Sequence, residues 1–279
     1  MKFTKMQGIG NDYIYINCFQ EKVENPSKLA VIMSNRNFGV GGDGLILIMP
    51  SQVADVKMRI FNADGSEAQM CGNGIRCVAK YTYDSGLKKN DKITIETLSG
   101  IKTAELIILN DKVSKVRVEM GIPKLLRNEI PMLGKNTRVI NEPLKTDVML
   151  LNITCVSLGN PHCISFVDDV DSIQLPTIGR TIENHSVFPE RINVHFVQII
   201  ASDEIRMRTW ERGSGETLAC GTGAVAACVA GVLNNLTERT ITAHLPGGDL
   251  IVEWSVNNKT YMTGPAELVF TGWWEGNRF

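Results

Sequence analysis

The sequence predicts an α+β chain made of two pseudo-symmetric halves, and three observations carry that prediction. The first is a match of the chain to itself. Cys71 and Cys220 stand 220 − 71 = 149 positions apart. At the same offset Glu67 meets Glu216, Gly72 meets Gly221, Gly74 meets Gly223, Met58-Arg59 meets Met207-Arg208, and Gly10-Asn11 meets Gly159-Asn160. So many identities at one ungapped offset mark an internal duplication. The second is length: 279 residues are enough for two medium domains, each able to bury a core. The third is pattern, in which short apolar, strand-like runs alternate with a few helical segments, and one helix in each half starts at a paired cysteine. The expected halves are residues 1–118, with a returning terminal strand at 266–279, and residues 119–265.

In the first half, residues 2–6 and 13–18 read as strands around a turn at Gly8-Ile9-Gly10-Asn11, where Gly and Asn supply turn conformations. Residues 26–35 fit a helix with Leu29, Ile32 and Met33 on one face. Gly39-Val40-Gly41-Gly42-Asp43-Gly44 then matches G-x-G-x-x-G literally. A dinucleotide fingerprint needs a strand before it and a helix after it. Here an apolar strand, residues 45–49, follows, so the stretch is expected to be a turn in the wall of a site. Residues 56–61 make the next strand and Asn62-Ala63-Asp64-Gly65 a turn. Cys71 heads a helix running to about residue 85, with Gly86 as its C-terminal cap. Residues 92–97, 102–109 and 112–120 read as strands. Residues 121–149, interrupted by Pro123, Pro131 and Pro143, are expected to be an irregular connection.

In the second half, residues 152–158 restart the pattern ahead of Gly159-Asn160-Pro161-His162. A strand from Phe166 onward and a helix over 176–184 are expected to mirror the first half. Arg191-Ile192-Asn193-Val194 falls opposite the Gly-rich turn, since 193 − 44 = 149. Residues 204–210 form the strand that delivers Cys220, and the helix from Gly221 to about residue 233 is small or apolar all round, hence buried on all sides. Residues 240–245, 249–255 and 259–264 are strands. Residues 267–271, which have no counterpart inside the repeat, return to the first half.

A net charge of −1 with no basic stripe argues against nucleic acid and against an anionic membrane surface. No stretch approaches the roughly 20 apolar residues of a membrane span, and the opening MKFTKMQGIGNDY lacks a signal-peptide core. Seven cysteines, an odd number without a CxxC pair, fit a reduced, cytoplasmic protein.

A lone cysteine is usually core, and Cys18, Cys77, Cys155, Cys163 and Cys228 are read so. Cys71 and Cys220 differ because each sits at a helix start among polar and Gly-rich neighbours. The N–H groups there lack intrahelical partners and the helix dipole adds positive charge, which favours a thiolate and holds a carboxylate. Three chemistries are open. Zinc would take about four ligands; two cysteines with His162 leave the set short while the other histidines are scattered, so no metal is expected. A redox pair is more often CxxC. Acid–base catalysis uses both thiols alike: one thiolate takes a proton from a carbon while the opposite thiol delivers one to the other face, inverting the centre. The α-carbon of an amino acid is the carbon acid most in need of this. The helix starts at Gly72-Asn73 and Gly221-Thr222 would grip its carboxylate as an oxyanion hole does.

The segments Asn62-Ala63-Asp64-Gly65-Ser66, Met70 to Cys77, Gly159-Asn160-Pro161-His162 and Glu211 to Gly223 resemble diaminopimelate epimerase, and the resemblance covers essentially the whole chain. It implies two domains of similar fold, each a mixed β-sheet or barrel wrapped around a central helix. It also implies cofactor-free interconversion of LL- and meso-diaminopimelate, a step toward lysine and peptidoglycan, by a homodimer. Carried across, Cys71 and Cys220 become the acid–base pair, and the N–H groups of Gly72, Asn73, Gly221 and Thr222 hold the reacting carboxylate. Asn11, Asn62, Asn160, Asn193, Glu211 and Arg212 match substrate-binding positions, with Arg212 suited to the distant carboxylate by its bidentate fork. His162 and Glu211 match positions that tune the thiols. Thr222 stands where many members have Ser, which matters little if only its N–H binds. Asp43 stands where some have a substrate-contacting Gln and is left out of the site. The runner-up is a two-base racemase of proline or hydroxyproline, which has no second amino-acid end to bind. A binding module that lost the chemistry would not need both cysteines.

Overall fold

Strands rich in Ile, Leu, Val and Met, some buried along their whole length and others at alternate residues, build the first unit, which comprises residues 1–119 and the chain from Thr263 onward. The computed structural model describes residues 1–275; residues 276–279, the end of the expected terminal strand, lie outside the described residues. Strand β1 (Lys2–Gly8) and β2 (Asn11–Asn17) form an antiparallel hairpin. Its turn residue Gly10 has φ 86, a conformation glycine enters without steric cost. Helix α1 (Pro26–Ser34) carries the chain to β3 (Gly44–Met49), parallel to β2. Antiparallel β4 (Val56–Asn62) follows, with the short β5 (Glu67–Ala68) beside it. Helix α2 (Gly72–Asp84) leads to β6 (Lys92–Thr97), parallel to β4, and then to the antiparallel β7 (Gly100–Leu109) and β8 (Lys112–Gly121). Helix α2 packs against β1, β2, β4, β6 and β7, so the mixed sheet surrounds it. Ile75, Cys77, Val78, Ala79 and Tyr83 are its buried residues of greatest apolar bulk. Helix α1 covers the sheet's other face, where Ala30 and Met33 meet Ile14, Ile16, Leu45, Leu47 and Phe61.

The second unit, Met120–Met262, repeats this plan. Strand β9 (Glu142–Lys145) pairs with β10 (Leu150–Ser157), which forms a hairpin with β11 (Pro161–Phe166). Helix α3 (Leu175–Glu183) connects to β12 (Asn193–Ala201), parallel to β11, and antiparallel β13 (Glu204–Glu211) takes the short β14 (Gly215–Thr217) beside it. Helix α4 (Gly221–Leu233) leads to β15 (Thr240–Leu245), parallel to β13, then β16 (Gly248–Trp254) and β17 (Thr260–Pro265). Helix α4 packs against β10, β11, β12, β15 and β16. The last strand, β18 (Glu267–Trp273), returns to the first unit and pairs antiparallel with β1.

The duplication is written into pairings as well as letters. Adding 149 turns α1 (26–34) into α3 (175–183) and α2 (72–84) into α4 (221–233). The parallel pair Tyr13↔Gly44 becomes His162↔Asn193, and Leu45↔Phe61 becomes Val194↔Trp210. The ion pair Arg59–Glu67, at 2.7 Å, becomes Arg208–Glu216, at 2.8 Å. After the central helix the offset slips by one: β15 starts at Thr240 and β6 at Lys92, 240 − 92 = 148.

Some expectations change. The strand expected from Phe166 onward ends there, because the buried run is Pro161–Ser165 and Asp168-Asp169 follows. Residues 121–149 are more than a connection, since they contribute Ile130, Met132, Val139 and Leu144 to the second core beside α3. Cys77, Cys155, Cys163 and Cys228 are buried as expected, but Cys18 is half-buried at the margin of its core.

Candidate active site

Each unit places its paired cysteine as the N-cap of its central helix. Cys71 caps α2, and its sulfur accepts a bond from the N–H of Gly74 at 3.4 Å. Cys220 holds the equivalent N-cap position of α4, without a side-chain cap hydrogen bond. The first helical bonds are Ile75 N–H to Cys71 O and Ala224 N–H to Cys220 O, so the N–H groups at 72–73 and 221–222 precede the hydrogen-bonded ladder. The Cys-Gly-x-Gly pattern has a packing reason. A Cβ on Gly74 would lie 2.8 Å from Ile46 Cδ1 and 2.9 Å from Met58 Cε, and one on Gly223 would lie 2.2 Å from His195 Cε1. Only glycine lets each helix start press onto the sheet.

In the first unit the Cys71 thiol donates to Asn11 Oδ1 at 3.4 Å. Asn11 Nδ2 donates to Asp43 Oδ2 at 2.7 Å, and Asp43 also accepts from the Asp12 N–H at 3.1 Å and from Arg36 at 3.0 Å. Burial first of all raises the Asp43 carboxyl above its ordinary range, with Asp12 adding to it and the hydrogen bonds opposing. Asp43, outside the site expected from sequence, is thus the group that orients Asn11. Asn62 lies opposite Gly44 in the β3–β4 register and donates to Ser66 Oγ at 3.0 Å. Asn73 is buried, its Oδ1 accepting from Arg76 Nη1 at 2.8 Å, while Arg76 Nε donates to Pro265 O. Arg76, a fully buried cation, has no counterpart in the repeat, where the position is Val225.

In the second unit Cys220 is 3 % exposed, 3.7 Å from Thr222 Oγ1, and its thiol donates to the Glu211 carboxylate. Asn160 Nδ2 donates to that Thr222 oxygen at 3.2 Å. The threonine hydroxyl is therefore engaged by a side chain of its own unit. Asn160 Oδ1 meets His162 Nε2 at 3.0 Å, His162 Nδ1 meets His195 Nε2 at 2.9 Å, and His195 Nδ1 meets Thr209 Oγ1 at 3.0 Å. Asn193 bridges to Pro161 O and to the Arg212 N–H, fixing the turn after β13. The Arg212 guanidinium makes one hydrogen bond among the described residues, to Glu190 O at 2.9 Å, and keeps donors for an anion. Glu211 accepts from Thr217 Oγ1 at 2.7 Å.

The electrostatics differ from the sequence reading. Helix starts were expected to draw the thiols toward neutrality, yet burial, with Glu211 second, pushes Cys220 well above the usual thiol range; Thr222 and the Gly223 N–H oppose this. Burial, His195 and Arg212 push His162 well below the ordinary imidazole value, and burial alone pushes His195 down to about 3. Both rings are neutral at physiological pH. The histidines are not all scattered, since the ligand atoms of His162, His195 and Cys220 lie within 4.8 Å of one another. The ring nitrogens of both histidines are already held in hydrogen bonds, so those bonds account for the cluster. Sequence reasoning misses His195 and Thr209 because each reads as an ordinary strand residue, and the repeat puts Ile46 and Ile60 at their positions.

Comparison with known proteins gives the family. The chain matches the family described as diaminopimelate epimerase over residues 3–126 and 154–269. It is 56% identical over 275 residues to the diaminopimelate epimerase of Pelotomaculum thermopropionicum, covering 98% of each chain. It is 52% identical to that of Methanococcus maripaludis over 273 residues, covering 98% of this chain and 99% of the relative. Among solved structures, a PhzF-family phenazine biosynthesis protein of Bacillus anthracis superposes with a TM-score of 0.70 at 17% identity, covering 98% of both chains. A probable proline racemase of Agrobacterium radiobacter gives 0.67 at 15% identity, covering 99% of this chain and 93% of the other. These distant structures share the duplicated α+β fold. At half or more identity over nearly the full length, this enzyme is a member of the diaminopimelate epimerase family.

Proposed function

We propose that the chain interconverts LL- and meso-diaminopimelate without a cofactor, with Cys71 and Cys220 as the two bases. The observation that carries this reading is the equivalence of the two cysteines, each the N-cap of a central helix in a chain of this family. The α-carboxylate is held by the N–H groups of Gly72, Asn73, Gly221 and Thr222, which stabilise the charge that grows when the C–H bond breaks. The proton moves from carbon to one sulfur, and the thiol of the other half delivers its own proton to the opposite face. Reversal exchanges the roles. Asn11 and Asn160 set the two sulfurs, Glu211 and His162 adjust the second, and Asn62, Asn193 and Arg212 bind the distal amino-acid end. The product feeds lysine and peptidoglycan synthesis in the cytoplasm; among the described residues no helix is long and apolar enough to cross a membrane.

Exchange of the substrate α-hydrogen with solvent deuterium tests the assignment. Wild type should exchange with LL-diaminopimelate and not with proline, and Cys71→Ala and Cys220→Ala should each abolish epimerisation with the fold intact. Either mutant turning over at the wild-type rate would remove the two-base mechanism, and turnover of proline would move the substrate toward the simpler racemase. The active form in this reading is a homodimer. Leu268, Val269, Phe270 and Trp273 are exposed along β18 and supply apolar surface for a second copy. Sedimentation velocity should give a dimer; a monomer at assay concentration would end that part.

A further inference from the structure

Asn160 fixes the direction of a hydrogen-bond chain through the second unit. Its Oδ1 only accepts, so His162 Nε2 carries the proton. A neutral ring has one donor and one acceptor, so His162 Nδ1 accepts and His195 Nε2 donates to it. His195 Nδ1 is then an acceptor, and the Thr209 hydroxyl donates. On its other side Asn160 Nδ2 donates to Thr222 Oγ1, which frees the Thr222 hydrogen for Cys220 Sγ. Thr209, His195 and His162 are at most 2 % exposed, so water does not compete for their bonds.

The other half is wired the opposite way. Asn11 occupies the position equivalent to Asn160, since 160 − 11 = 149. There the acceptor-only Asp43 takes Nδ2, so Oδ1 turns to the Cys71 thiol and favours its protonated form. In the second half Ile192 stands at the Asp43 position, and the imidazole of His162 takes Oδ1 instead. The amide is reversed and its donor end faces the sulfur through Thr222.

We propose that Thr209 and His195 are positioning residues of this epimerase. Through His162 and Asn160 they hold the Thr222 hydroxyl as a donor aimed at Cys220, and so stabilise its thiolate whenever the sulfur has given up its proton. The inference rests on Cys220 acting as a base. No proton travels along the chain and no covalent bond in it breaks; each link polarises the next. The chain has no counterpart at Cys71, and at Cys220 it opposes the burial and the Glu211 carboxylate that hold the thiol protonated.

The test reads thiol titration, not turnover, so it fails separately from the two-base reading. Iodoacetamide labelling of the full chain is followed against pH and mapped by mass at Cys220 and Cys71. Thr209→Val, which keeps the shape and removes the donor, should raise the apparent pKa of Cys220 and slow its labelling at pH 8 about threefold or more, leaving Cys71 unchanged. Thr209→Ser should restore the wild-type curve. His195→Leu should act as Thr209→Val does, and His195→Gln, which keeps an N–H toward His162, should lose less. An unmoved Cys220 curve in Thr209→Val would overturn the proposal, and so would an equal shift at both cysteines, which is the mark of general loosening.

Discussion

In the proposed function, Arg212 is the residue that sets specificity. Diaminopimelate has two amino-acid ends and only one reacts, so a fixed charge must recognise the other. The Arg212 backbone is held by Asn193, and its guanidinium is tethered by one bond to Glu190 O, which leaves a planar fork in place. Lysine at this position keeps the charge and loses the two-point geometry. Charge-assisted bonds contribute roughly 1.5–3 kcal/mol each, so Arg212→Lys should lower kcat/KM by about tenfold or more, with alkylation of both cysteines unchanged. A kinetically silent Arg212→Lys would make Arg212 a brace for the β13 turn. At this scale the sequence exposes residues whose neighbours in the chain serve the same site. The cysteines, the glycines beside them and the repeated asparagines all carry local motifs. It does not expose His195 or Thr209, which reach the site only through strand pairing. Asp43 is left out of the expected site because some members have a substrate-contacting Gln there, and in the structure it acts on Asn11.

Elements are legible where local chemistry settles them. Helix α2 starts at its cysteine cap, and Gly86, with φ 81, follows its last turn. Helix α4 spans Gly221–Leu233, and ten of its residues are buried because small side chains let the sheet approach from several directions. Elements whose existence depends on partners are not legible. Strand β5 has two residues and exists because Phe61 pairs with Glu67 and Arg59 clamps that glutamate. Strand β9 forms because Pro143 and Leu144 lie opposite Asn152 and Leu151, although prolines mark its surroundings as irregular. The start of β11 at Pro161 is hidden for the same reason: a proline after a turn suggests continued loop, yet at the first position of a strand it costs no hydrogen bond its neighbour needs.

At the scale of the molecule, the duplicated plan gives two central helices and two thiols, but only the second unit buries a pair of histidines, and that asymmetry has a consequence for stability. His195 titrates at about 3 when folded and near 6.5 when unfolded, and His162 is shifted the same way. The unfolded chain therefore binds protons that the folded chain refuses. Stability is fully present above about pH 6.5 and is lost as pH falls toward the folded values. Within that window His195 alone costs roughly 1.4 kcal/mol per pH unit. His244, raised by Asp249 and Glu204, has the opposite sign and acts above its ordinary value, so it leaves this window unaffected. The lowered carboxylates of Asp12, Asp55 and Glu67 act below about pH 4. Urea unfolding should thus show a steep fall in stability between pH 6.5 and 4.5, and His195→Gln, which carries no titrating group, should flatten it. A wild-type curve level across that interval would mean that the folded protein accepts protons on these rings. Protonation would place donors on both nitrogens of His195 and break the one-way order that aims Thr222 at Cys220.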